Sequence, residues 1–129
     1  MPKISTGVET HFYCRIRPYL ENLSELRRGP VDFDDLKTAV TQIMFHGNAD
    51  KLDWNKLRKY WTGNDWTSIF KILLAETCLP CHKPPNIWIE KTPDHLLQIR
   101  QIHEEFQNSK FIILYRDPRR IGDIVNSCV

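Results

Sequence analysis

Lys91 and Arg116 each follow a short apolar run and stand two residues before a proline that can open a helix. Ile87-Trp88-Ile89 is rich in β-formers and is closed by Thr92-Pro93. Phe111 to Tyr115 is a continuous apolar run, as in a strand covered on both faces of a parallel sheet, and Asp117-Pro118 follows it. Thr92 and Asp117 suit the N-cap, and proline suits the first helical turn because its missing N–H would be unpaired there. Between the runs, Leu96, Ile99, Ile102, His103 and Phe106 recur at helical spacing, predicting a helix over 94–107. Trp88 and Ile112 then belong to adjacent parallel strands joined by a right-handed crossover. Ligands in open α/β sheets bind at the carboxyl ends of strands. Two strand-end cations beside helix N-termini make a site for phosphate or sulfate. Ordinary solvated charges have the same spacing, so spacing alone leaves both readings open.

Two motifs carry a resemblance. Glu90 to Leu96 (EKTPDHL) with Lys110 to Arg120 (KFIILYRDPRR) resembles the central region of the sulfotransferases that use 3′-phosphoadenosine 5′-phosphosulfate (PAPS) as donor. The second motif is similar to the strand and helix start that hold the donor's 3′-phosphate, which implies Arg116 as a donor-binding residue. The first is similar to a segment of the bacterial, Golgi-type and tyrosylprotein members. The resemblance also extends to Gly7-Val8-Glu9-Thr10, which matches a G-x-E-T segment whose glutamate is the implied catalytic base. Glu9 is therefore the candidate base, with His11 as runner-up. A base is needed because an attacking hydroxyl must lose its proton to a group within hydrogen-bond reach. Lys91 is the candidate cation on the leaving side. No metal is expected. The implied acceptor bears a hydroxyl, on a carbohydrate, a protein tyrosine or a small molecule.

The rest of the chain frames that reading. With 129 residues there is room for one domain, and 18 basic against 16 acidic residues give a net charge of +2, so nothing points to nucleic acid. No apolar run approaches a membrane span, and MPKISTGVET lacks the apolar core of a signal peptide, which favours a cytoplasmic location. Helices are predicted within Phe12–Leu26, interrupted near Pro18, and over Asp32–Phe45, Leu52–Trp61 and Asp65–Leu79. The aromatic stripe Trp54, Tyr60 and Trp61 reads as core packing rather than a base-stacking platform. Residues 32–79 form a helical insert, which the resemblance implies shapes the acceptor side. Cys78-Leu79-Pro80-Cys81-His82 satisfies the pattern of haem attachment, but that chemistry requires export. Zinc would need two more ligands at a recognised spacing, so the pair reads as incidental to a turn, with a disulfide left open.

The chain also departs from the resemblance. A strand followed by a PRSGTT-type loop, which cradles the donor's 5′-phosphosulfate, is expected and not seen before Glu9. The serine expected eight residues after the arginine is Ile124, with Ser127 a helical turn later. The expectation is thus an α/β, P-loop-like parallel-sheet fold. It is truncated and helix-rich with a βαβ core at 87–116, one partial domain over 1–129, inactive or incomplete by itself. A P-loop kinase-like domain would need G-x-x-x-x-G-K-S/T, which is not visible. A non-catalytic interaction module stays open.

Overall fold

A computed structural model describes residues 4–6, 8–47, 50, 52–61, 63, 65–77, 87–115 and 117, the first three by their backbone. Strand β1 (Ile4–Thr6) is followed by a π-helical turn (Phe12–Ile16) that runs directly into α1 (Arg17–Arg27). Then come α2 (Phe33–Phe45), α3 (Trp54–Lys59), α4 (Trp66–Thr77) and β2 (Ile87–Ile89). A 3-10 turn (Pro93–Gln98) leads into α5 (Ile99–Glu105).

The local signals account for these elements. The wide turn stands just before Pro18, with Ile16 N–H reaching back to the His11 carbonyl. Proline has no N–H to give, and its ring would crowd the carbonyl four residues earlier in a regular helix. Asp32 caps α2 through a reciprocal box with Asp35, and Arg27 holds Asp35 through both carboxylate oxygens at 2.8 Å. His46 and Gly47 end α2 in left-handed conformations (φ 50° and 90°). Phe12, Tyr13, Ile16 and Leu20 meet Leu36, Val40, Ile69, Phe70 and Leu73 in one apolar core. Phe12 stacks on Phe70 with centroids 5.1 Å apart, and Tyr13 meets the same ring edge-on at 5.1 Å. Trp54 and Trp61 pack edge-on against Phe33, the core role expected for them, whereas Tyr60 of the same stripe is exposed.

The sheet differs from the expected one. Among the described residues it has two strands, β1 and β2, paired in parallel with Ile4 opposite Ile87, Ser5 opposite Trp88 and Thr6 opposite Ile89. A strand therefore does precede the Glu9 loop, and the βαβ core at 87–116 is corrected accordingly. Residues 111–115 adopt no regular structure, and Ile112, Leu114 and Tyr115 are almost fully exposed. A continuous apolar run signals the capacity to be covered, but it does not name the neighbour. The helix expected over 94–107 begins instead as a 3-10 turn. Three residues per turn in place of 3.6 shift the facing positions. Leu96 is accordingly exposed and His95 buried, while Ile102 and Phe106 do reach the core. No helix among the described residues is long and apolar enough to cross a membrane.

Leu73 has no solvent exposure. Leu73→Ala is expected to cost about 2–5 kcal/mol of stability. Asp32→Ala, which removes a cap at the surface, is expected to cost about 1 kcal/mol. Urea denaturation of both variants checks the order of the two effects.

Candidate functional site

Just beyond the carboxyl end of β2 lies Glu90, whose side chain is only 13% exposed. A buried carboxylate persists only where donors replace its water. Oε1 accepts from the Thr10 N–H (3.1 Å), the Thr10 hydroxyl (2.8 Å) and the Thr92 hydroxyl (2.5 Å). Oε2 meets His95 Nδ1 at 2.9 Å. On its other side, His95 Nε2 accepts from the Tyr13 N–H at 3.2 Å. A backbone N–H can only donate, so Nε2 carries the lone pair and the ring proton sits on Nδ1, aimed at Glu90. The Thr92 hydroxyl accepts from His11 N–H (3.3 Å), and the Thr10 hydroxyl accepts from Phe12 N–H (3.3 Å). Thr92 does stand at the N-cap of the turn that follows, its carbonyl accepting from His95 N–H, but its side chain makes no cap bond because it is spent on Glu90 and His11.

Burial by itself would raise the Glu90 carboxyl. Hydrogen bonds from His95, Thr92 and Thr10 outweigh it and hold the group at about 2, against an ordinary 4.5. Only the ionised form can accept from all of these donors.

On the solvent side of the same two segments, Lys91 Nζ and Glu9 Oε1 form an ion pair at 2.5 Å across 82 residues of sequence. Lys91 is 72% exposed and Glu9 38%. His11 Nε2 lies 3.6 Å from Glu9 Oε2, and His11 itself sits at φ 52°, a left-handed conformation unusual for a non-glycine residue. The three candidate residues Glu9, His11 and Lys91 are therefore together. Arg116 and Ser127, the candidate donor-binding residues, lie outside the described residues, as do Ile124, Cys78, Cys81, His82 and Cys128.

Sequence reasoning missed Glu90, Thr10 and His95. The one available signal was the acidic residue heading the EKTP segment, which was passed over for its exposed neighbour Lys91. It also missed a group of potential ligands. His11, Cys14 and Asp94 offer one ligand atom each within 4.8 Å of one another. All three are already engaged, His11 with Glu9 as above. Asp94 lies 3.7 Å from the Arg15 guanidinium. Burial and the charge of Asp94 push the Cys14 thiol up, and it keeps its proton, donating to the His11 carbonyl.

The model of the Sulfotransferase family matches residues 2–127. The chain belongs to that family. No curated protein and no solved structure matches it.

The Glu90 carboxyl is lower in the folded protein than its ordinary value, so its contribution to stability is fully present above about pH 4.5. It is lost as pH falls from there through about pH 2. The shift corresponds to about 3 kcal/mol. Denaturation midpoints followed from pH 7 to pH 2 should show wild type converging on Glu90→Gln at the acid end.

Proposed function

We propose that this chain transfers a sulfuryl group from PAPS to an acceptor hydroxyl, with Glu9 as the base and Lys91 as the cation at the departing oxygen. The observation that carries this reading is the meeting of Glu9 and Lys91 at the carboxyl edge of a parallel strand pair, in a chain of the sulfotransferase family. When bound, PAPS supplies the sulfuryl group, and its sulfur–phosphate oxygen bond breaks as the acceptor oxygen bonds to sulfur.

The protein's part in this is to move a proton and place charge. Glu9 takes the acceptor's proton, and its exposure leaves room for an acceptor to approach. Lys91 carries an exposed ammonium on a flexible stem, which fits the negative charge left on a phosphate oxygen. The N–H groups of Thr10 to Tyr13, at the start of the helical segment, are already taken by side-chain acceptors. Those four N–H groups are therefore not offered to the donor, and Arg116 is assigned to the 3′-phosphate, with help from the backbone at the start of the 118–128 helix and a lesser role for Ser127. Residues 32–79 are assigned to the acceptor side. No metal ion is needed for the roles given to Glu9 and Lys91. The acceptor is a hydroxyl on a carbohydrate, a tyrosine or a small alcohol.

Release of adenosine 3′,5′-bisphosphate from PAPS, in the presence of phenolic, carbohydrate and small-alcohol acceptors, tests this reading. Glu9→Gln is expected to lower turnover about 10²–10⁴-fold with donor binding retained. Full turnover in Glu9→Gln together with its loss in His11→Ala would transfer the role to the histidine. Calorimetry with adenosine 3′,5′-bisphosphate checks the donor side. Arg116→Ala should weaken binding by about 1.5–3 kcal/mol, the worth of a charge-assisted contact. Unchanged affinity rejects that assignment.

A further inference from the structure

Four successive backbone N–H groups converge on one carboxylate. Thr10 N–H reaches Glu90 directly. The next three reach it through relays: His11 through the Thr92 hydroxyl, Phe12 through the Thr10 hydroxyl, and Tyr13 through the His95 ring. Every hydrogen in the set points toward Glu90, so no member can be reversed without stranding a buried donor.

We propose that Glu90 is a positioning residue for sulfuryl transfer: its carboxylate clamps the loop carrying Glu9 to the segment carrying Lys91 and so fixes base against cation. This rests on the roles given above to Glu9 and Lys91. Side chains alternate on both segments. Thr10 turns inward to Glu90 while Glu9 and His11 lie together on the outer side. Glu90 and Thr92 turn inward while Lys91, between them, turns out to Glu9. The Glu9–Lys91 pair is too exposed to hold two such distant segments by itself, since ion pairs in water contribute little. The buried set beneath it holds them. Tyr13 carries the clamp into the core, its ring against Phe70 and its hydroxyl on Glu105 at 2.6 Å.

Glutamine at 90 has the same shape but brings an N–H₂ group where every neighbour donates. Aspartate keeps the charge and is one methylene short. In the full chain, the Lys91 ¹³Cε signal is expected to respond to Glu9→Gln. That response should fall at least threefold when Glu90→Gln is also present and recover in part with Glu90→Asp. Amide hydrogens of Thr10 to Tyr13 should exchange at least tenfold faster in Glu90→Gln. Turnover of Glu90→Gln should fall about 10–100-fold with the PAPS KM within twofold, as expected when reacting groups are displaced rather than removed. An undiminished Lys91 response, or wild-type turnover in Glu90→Gln, overturns the proposal. If Glu9→Gln keeps full turnover, the base assignment fails, and the Lys91 response still decides whether Glu90 sets the pair. Where Glu90→Gln does not fold, Thr10→Val removes one donor to Glu90 and the acceptor of Phe12 N–H but leaves the charge, and the same measurements should move in the same direction by less. No movement there also overturns the proposal.

Discussion

A buried charge is costly, and the part of this protein that carries its candidate chemistry is arranged around one. Removing a carboxylate from water costs several kcal/mol even after relaxation. Each hydrogen bond to an ionised group returns about 1.5–3 kcal/mol. Glu90 collects enough of them to remain ionised under a surface that leaves its side chain little solvent. The donors come from three stretches of chain: the loop after β1, the Thr92 hydroxyl and the 3-10 turn before α5. Forming the set therefore fixes all three stretches together, and their relative placement is what brings Glu9, His11 and Lys91 to one place.

The same arrangement changes what the start of the helical segment can do. Free N–H groups at a helix N-terminus ordinarily attract an anion. Here the anion is supplied by the protein, because Glu90 accepts one of those hydrogens and Thr10, Thr92 and His95 take the next three. Lys91, on the solvent side of these segments, keeps an exposed ammonium. Apolar packing supports the set from below. Phe12 and Tyr13 follow the loop directly and are buried against Phe70, so the loop cannot shift without disturbing the core. Arg17 extends the contact by pairing with both Glu21 and Glu105, and it lies over the rings of Tyr13 and Trp66.

Much of this was legible in the residues. The helices over 33–45 and 66–77 follow from apolar periodicity and, for the first, from its Asp32 cap. The break before Pro18 follows from a missing N–H, and the family follows from the EKTP and RDPR segments, matched over 2–127. These signals act within a turn or two of helix, so a reader of sequence can see them. Glu9, His11 and Lys91 were also named from sequence, although their meeting could only be expected.

Tertiary structure decided the rest. Ile4-Ser5-Thr6 is too short to declare itself a strand, yet it is β1 that pairs with Ile87–Ile89, while the more obvious run at 111–115 stays without a described partner. His95 is drawn inside in place of Leu96 because Glu90 needs its proton. The Thr92 side chain serves Glu90 and His11 instead of capping its own helix. Caps and periodicity are properties of neighbouring residues, and where no distant group competes, as in α2 and α4, the sequence alone determined them. The choice of strand partner and the convergence of donors on Glu90 join groups some eighty residues apart in the chain, and only folding sets which of those groups meet.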